Sequence, residues 1–413
     1  MSPSTIVILG AGVGGMVAAN ELRRRLPGAH RVVLVERDAE YTFAPSFLWL
    51  MTGDRRPEQV RRPVAELVRR GIDVVHGNAE ALDLANRKVL TSAGEITFDY
   101  LIIALGAELA PDAIPGLGEA SESFYTFDGA RRLHDRLAGF AGGRIAVVVA
   151  SMPYKCPGAP HEGAMLIADY FRKKGRRDDV AIHLFTPESQ PMPVAGPQLG
   201  AAVTQLLEAK GVSFHPLHAL ESVDPAGRTM RFQNSKTEPY DLLVAIPPHR
   251  APRLVQEAGL GNPAGWVPVS PQTLETGHNG VFAIGDVTAI PLPGRWKPDV
   301  PLMLPKAGVF AHVQAEVVTS RIVAEIEGRK PDETFCGDGY CMLETGEDLA
   351  GFAYGNFFAE PSPDVKLRQV GKAWHLGKVL FEKWWLSAPG WKRASYGAAL
   401  KIGGSFWGIP IAV

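Results

Sequence analysis

The chain has 413 residues, enough for two or three domains. Its apolar share of 46% and charged share of 21% exclude a disordered chain and a multi-span membrane protein, and a formal net charge of −1 offers no basic field for nucleic acid. Three cysteines are too few for the disulfide framework of a small secreted domain but enough for one redox pair and a spare.

In chain order, Thr5–Leu9 reads as an apolar, β-branched strand that begins too early to leave room for a secretory leader. Gly10-Ala11-Gly12-Val13-Gly14-Gly15 follows as a turn, Met16–Arg25 as an amphipathic helix, and Arg31–Glu36 as a second strand. Gly10, Gly12 and Gly15 fit the G-x-G-x-x-G pattern of a dinucleotide site. The three glycines give a tight turn, close backbone approach to a pyrophosphate and close helix packing, and Glu36 supplies a carboxylate for ribose hydroxyls, with Arg37 beside it. Phe98–Gly106 is a buried strand ending in a small-residue turn, and Val281–Asp286 is another, ending in Gly285-Asp286.

This trio resembles the flavoproteins built from two dinucleotide-binding domains, the large family related to disulfide reductases. The resemblance implies an α/β fold with two Rossmann-like domains, one of FAD type and one a degenerate NAD type. It implies FAD as the cofactor, with Gly106, Gly285 and Asp286 around it and the Asp286 carboxylate on the ribityl chain. The expected domains are 1–110 with 255–330, then 111–254, then 331–413. Relatives that use NAD(P)H carry a second glycine motif after a central strand. Here Arg144–Ala150 is that strand, but Ser151–Glu162 lacks two of the glycines and holds Pro153, Pro157, Pro160 and Cys156. Proline has no N–H to offer a phosphate, so nicotinamide binding is not expected. A helix is expected over Gly163–Lys174, with Glu162 at its start.

Cys156 lies in Lys-Cys-Pro-Gly-Ala-Pro-His-Glu and Cys341 in Gly-Tyr-Cys-Met-Leu-Glu-Thr-Gly. Both segments resemble sulfide:quinone oxidoreductases and the flavoprotein subunit of flavocytochrome c sulfide dehydrogenases, over nearly the whole chain. The resemblance implies that the two cysteines form a redox disulfide beside the flavin and that Glu162 is the active-site glutamate. A glutamate at a helix N-terminus is equally an ordinary dipole-complementing residue. Lys155 is expected to favour a Cys156 thiolate electrostatically. Cys336 reads as a spare thiol, a trap for persulfide sulfur or a residue without a role, and is expected to be largely dispensable. No cysteine precedes residue 156, so FAD is expected to be held without a covalent bond. Lys306 and Gly308 open an apolar helix whose N-terminus the family aims at the flavin; Lys306 reads as a flavin or quinone contact or as a solvated lysine. No metal ligand set is read.

Trp374, Trp384, Trp385, Trp391 and Trp407 are interleaved with Lys372, Lys378, Lys383, Lys392, Arg393 and Lys401. Tryptophan with lysine is the composition of a segment lying in the headgroup plane, so 375–413 is expected to be a membrane-interface anchor, with a C-terminal helix packed on the core as the alternative, beside a quinone slot for which Phe352, Phe357 and Phe381 are candidates that read equally as core aromatics. The expected partners are sulfide, a membrane quinone and the membrane surface, and the expected location is peripheral on a cell membrane of unassigned face; a homo-oligomer is left open. The resulting reading is FAD-dependent oxidation of sulfide to polymeric sulfur with a quinone as acceptor. Its rivals are a flavocytochrome c-type dehydrogenase, a type II NADH:quinone oxidoreductase and a non-enzymatic redox-sensing flavoprotein.

Overall fold

The computed structural model describes residues 3–409. Ile6–Leu9 present no polar face, so the strand needs cover on both sides, and all four side chains are fully buried. They form the centre of a five-stranded parallel sheet in the order Val281–Ala283, Tyr100–Ile103, Thr5–Leu9, Arg31–Glu36, Ile72–His76. The late strand Val281–Ala283 adds to the edge beside Tyr100–Ile103, which sets the Gly285-Asp286 turn at the same carboxyl edge as the glycine loop. The first helix runs Val13–Arg25, starting within the glycine loop rather than at Met16.

A second parallel sheet has the order Ser121–Glu122, Leu242–Ile246, Gly143–Val149, Val180–Phe185, Val212–His215. The segment that replaces a phosphate loop connects Gly143–Val149 to a helix over Ala159–Lys173. That helix starts before the expected Gly163, because Pro160 falls in its first turn, where no intrahelical N–H is lost. Glu162 therefore lies inside the first turn and is buried.

The third sheet is an antiparallel meander, Asp338–Gly346, Leu349–Asn356 and Asp364–Gly371, followed by helices Lys372–Trp385 and Trp391–Trp407. These helices pack on the core, the alternative that the tail's composition left open. Trp384, Trp385, Leu386 and Leu400 join the apolar core of the first sheet. Lys378, read as a headgroup lysine, is buried, and so is Glu382, which pairs with Arg55 at 2.9 Å and accepts from Ser46. Lys372, Lys383, Lys392 and Lys401 are exposed. Among the described residues no helix is long and apolar enough to cross a membrane.

Candidate active site

At the glycine loop, Gly10 adopts φ +93°, and a β-carbon there would lie 2.7 Å from the Ala104 carbonyl oxygen. A β-carbon on Gly15 would lie 1.8 Å from the Gly10 carbonyl oxygen, so only glycine allows helix and turn to close. Gly12 is different: its nearest neighbour would be 4.0 Å away, and the space beside it is free for a ligand's backbone approach. The first turn of Val13–Arg25 carries no acidic side chain, and Arg23, Arg24 and Arg25 close its last turn. The helix thus presents free N–H groups and a positive dipole end to an anion. Glu36 Oε2 accepts from Ala11 N at 2.6 Å and Oε1 from Asp38 N at 3.0 Å, leaving lone pairs on both oxygens. Arg37 is exposed and paired with Asp38 at 3.4 Å.

Across the sheet, Gly285 (φ +73°) turns the chain and donates to Gln314 Oε1 at 2.7 Å. Gly106 also sits at positive φ, +67°, in the turn after its strand. The Asp286 carboxyl is buried, with Oδ1 lacking any hydrogen-bond partner within the protein, and burial raises its pKa while Lys155 and Lys306 oppose the shift. An orphaned buried oxygen calls for a donor, which the hydroxyls of a ribityl chain provide. Gly308 begins its helix against Val13, 3.4 Å from where a β-carbon would sit, closing the same cleft. These residues fit FAD: the glycine loop and helix end for the pyrophosphate, Glu36 for the ribose and Asp286 for the ribityl chain.

Lys306 is a buried strut rather than a solvated lysine. Its Nζ donates to the Asp286 carbonyl at 2.6 Å and the Thr288 carbonyl at 3.2 Å, and lies 3.5 Å from the Trp266 ring centroid. Its own carbonyl accepts from Cys156 N at 2.6 Å. The cysteine loop is thereby fastened to the flavin-side turn. Tyr125 Oη donates to the Lys155 carbonyl at 2.9 Å, and Tyr154 Oη to Glu188 at 2.9 Å, fixing the loop from two more sides. Cys156 itself holds φ +57°, a costly backbone state for a residue with a β-carbon and one that tends to mark functional sites.

Cys341 lies on the first strand of the C-terminal meander. A β-carbon on Gly158 would sit 3.4 Å from Cys341 Sγ and 3.5 Å from Glu162 Oε1, so the end of the cysteine loop, the second thiol and the carboxylate crowd together. Both cysteines are free thiols in the structure. Burial, then the Glu162 charge, push the Cys156 thiol up to about 12; the same two causes, with Cys156, raise Cys341. Cys156 nevertheless keeps an accessible edge for a small nucleophile.

The cation opposing these shifts on both thiols is Lys378, not Lys155. Lys378 Nζ donates to Glu162 Oε2 at 2.5 Å and to the Met342 carbonyl at 3.2 Å, and Glu344 N donates to the same Glu162 oxygen at 3.0 Å. Lys155 is half-buried, with its pKa lowered by burial, and faces Asp286 as well as Cys156. His161 is fully buried and stays neutral, its pKa lowered to about 4 by burial. Cys336 lies on an exposed loop with its Sγ near its own Thr334 carbonyl.

The three phenylalanines assigned to a quinone slot separate. Phe352 is sealed between Tyr340 and Trp374, which excludes it as a slot wall. Phe357 packs edge-on against Phe310 near the start of the Gly308 helix, and Phe381 lies among Phe43, Trp384 and Trp385; both remain half-buried. Lys378 and Glu344 were missed by sequence reasoning.

A glycine loop, a Gly-Asp turn and a cysteine loop in place of a second phosphate loop, arranged on two parallel sheets, define a flavin-dependent disulfide oxidoreductase. The chain belongs to the pyridine nucleotide-disulphide oxidoreductase family, whose model matches residues 4–315, and it is an FAD-binding flavoprotein. Within that family it groups with the sulfide:quinone oxidoreductases. It is 28% identical to the sulfide-quinone reductase of Aquifex aeolicus over 92% of this chain and 90% of that one, and 26% identical to the mitochondrial sulfide:quinone oxidoreductase of Mus musculus over 86% and 79%. The crystal structure of the Aquifex aeolicus sulfide:quinone oxidoreductase superimposes with a TM-score of 0.84 at 25% identity, covering 99% of this chain and 96% of that one.

Proposed function

We propose that the protein oxidises sulfide through the Cys156–Cys341 pair and passes the electrons to a membrane quinone. The observation that carries this reading is the meeting of two cysteines around one buried carboxylate, Cys156 on a loop fastened by Lys306 to the Asp286 turn and Cys341 on the first strand of the C-terminal meander. In the oxidised pair, hydrosulfide forms a bond to one sulfur and breaks the Cys156–Cys341 bond, leaving a persulfide on one residue and a thiolate on the other. Lys378 stabilises the departing thiolate, and the Glu162 carboxylate accepts the proton that the persulfide sheds. FAD, held without a covalent bond, supplies two-electron transfer between the sulfur pair and the quinone. The domain expectations stand as a proposal in the same terms: 1–110 with 255–330 hold FAD, 111–254 carry the first cysteine, and 331–413 carry the second.

Nicotinamide is disfavoured by more than the missing glycines. The acidic residue after the second strand of this sheet, Glu188, stands where a ribose carboxylate would be expected, yet it is buried and accepts from Tyr154 and Thr186. We assign the quinone approach to Phe357 and Phe381 and the membrane contact to Trp391–Trp407. On that helix Trp391, Ile402 and Phe406 are 84%, 71% and 80% exposed and stand about three and four turns apart on one stripe, flanked by Lys392 and Lys401. The test is anaerobic sulfide addition to the flavin-loaded protein: the flavin should bleach and a quinone should restore its colour. NADH-driven bleaching without a sulfide response would overturn the reading.

A further inference from the structure

Charge conservation sets a requirement on the flavin end of the site. In the sulfide-oxidising reading, on which this requirement rests, hydrosulfide supplies two electrons and one proton, and its sulfur stays on the cysteine pair in neutral, sulfane form. The flavin takes up both electrons and the proton. The single negative charge that entered as hydrosulfide therefore ends on the reduced ring. An anion away from bulk water needs a fixed cation beside it.

Most cations of the site are already committed. Lys378 Nζ is held by the Glu162 carboxylate, and Arg55 by Glu382. Lys306 Nζ donates to two carbonyls and rests on the Trp266 ring. Lys155 is the exception: among the described residues its ammonium has neither a hydrogen bond nor an ion pair, although the side chain is half-buried. Its backbone is fixed. Lys155 pairs with Lys306 in a parallel bridge, its carbonyl accepts from Tyr125 Oη at 2.9 Å, and Cys156 N, one residue on, donates to the Lys306 carbonyl at 2.6 Å. Residues paired in a parallel bridge project to the same face. On that face the Lys306 side chain reaches the Asp286 turn, so Lys155 projects toward this turn as well. Asp286 is accordingly the first charge that opposes the effect of burial on Lys155, with Cys156 second.

Two further polar atoms around the bridge lack partners, Asp286 Oδ1 and His249 Nε2. His249 Nδ1 lies 2.8 Å from the Pro247 carbonyl, an acceptor, so this nitrogen carries the proton and Nε2 is left with a lone pair. The His249 ring packs edge-on against Tyr125, the residue that holds the Lys155 carbonyl, with centroids 5.6 Å apart. A free ammonium and two buried acceptors, gathered at the turn that faces the ribityl chain, call for a ligand with both acceptors and donors. A flavin has both, in its ring carbonyls and nitrogens and in its imide N–H and ribityl hydroxyls.

We infer that the Lys155 ammonium faces the flavin ring, holds the negative charge of its reduced form, and so raises the potential at which the flavin accepts electrons from sulfide. Lys155 then belongs to the cofactor site, and the thiols keep Lys378 as their opposing cation.

The experiment uses the flavin-loaded full chain with no sulfide present. The flavin is reduced slowly and anaerobically beside a reference dye, and its two-electron potential is read from the absorbance of both. Lys155→Met should shift the equilibrium toward oxidised flavin at least about tenfold, or about 30 mV downward for a two-electron couple. Lys155→Gln, polar but neutral, should shift it in the same direction by a similar factor. Lys155→Arg, which keeps the charge on a different head, should stay within about threefold of the parent equilibrium. All three variants should retain FAD, and their reduced thiols should react with iodoacetamide close to the parent rate. Parent-like potentials in both neutral variants would overturn the assignment. So would slowed alkylation at an unchanged potential, which would make Lys155 a partner of Cys156 instead. Loss of FAD from the neutral variants would overturn it too, since Lys155 would then bind the cofactor rather than tune it. Sulfide addition to the parent is a separate measurement: a parent that does not bleach, beside a Lys155→Met variant whose potential has shifted, would sink the functional reading and leave the charge assignment standing.

Discussion

Replacing Lys378 by methionine tests the centre of the site. Methionine keeps most of the volume and removes the ammonium that bonds Glu162 at 2.5 Å and the Met342 carbonyl at 3.2 Å. Removing one partner of a buried ion pair leaves the other charge uncompensated and typically costs about 3–5 kcal/mol. Glu162 can then survive only by taking up a proton, so Lys378→Met should be strongly destabilised, and more so at pH 8 than at pH 5. The second consequence falls on the thiols. Lys378 lowers the pKa of both Cys156 and Cys341, so its loss moves both further up. A nearby opposite charge is worth about 1–3 pKa units, so iodoacetamide alkylation of the reduced protein at pH 8 should slow at least about tenfold. Adding Glu162→Gln removes the uncompensated charge and the repulsion it exerts on the thiols. The double variant should therefore recover most of the stability and part of the alkylation rate, giving a large coupling energy in the cycle. If Lys378→Met costs under about 1 kcal/mol and alkylates at the parent rate, the pair does not hold this site together.

Further outcomes follow from the same geometry. Gly15→Ala should fail to accumulate as folded flavoprotein, since its β-carbon would overlap the Gly10 carbonyl, whereas Gly12→Ala should fold with near-parent stability and lose FAD, as read from flavin absorbance after gel filtration. Glu188 has its pKa raised by burial to about 7, so the fold binds more protons there than the unfolded chain and loses stability as pH rises from the ordinary glutamate range through 7. Glu188→Gln, which can still accept from Tyr154, should thus gain about 3 kcal/mol at pH 8 and little at pH 4, measured by denaturant titration. Excess NADH in stopped flow should leave the flavin oxidised over many sulfide turnovers. Trp391→Ser with Phe406→Ser should weaken pelleting with anionic liposomes and slow reduction of a long-tailed quinone, while sulfide bleaching of the flavin persists; unchanged pelleting would place the membrane contact elsewhere.

The parts of the site that sequence made legible are those whose chemistry is written locally. Gly10, Gly12 and Gly15 can be read because turn, helix and ligand contact all fall within one loop, and Asp286 because it ends an apolar strand. The cysteine loop was legible through the prolines that exclude a phosphate cradle. Lys378 was not, because its partner lies 216 residues away and nothing near it in the chain specifies burial. Lys378 was expected among the headgroup lysines of an interfacial tail, yet Lys378 and Glu382 each turn inward to a different element, Glu162 in one case and Arg55 with Ser46 in the other. The available signal was that Lys378, Glu382 and Trp385 share one helical stripe, which would place an aromatic residue and two charges on the same side. Composition alone could not separate Trp384 and Trp385, which enter the core, from Trp391, which stands in solvent.

Lys306 acts as a fixed-length spacer between the two reacting halves of the molecule. Its main-chain oxygen holds the nitrogen of Cys156, and its ammonium, at the far end of a four-carbon stem, holds the carbonyls of Asp286 and Thr288. The gap between the sulfur loop and the turn that faces the ribityl chain is therefore set by the reach of one side chain. Arginine in its place would lengthen the spacer and bring a planar head to a site shaped for a single nitrogen, and alanine would leave the two edges joined only through the backbone. Variants at this position offer a way to alter electron-transfer spacing without touching either cysteine or any residue of the cofactor cradle.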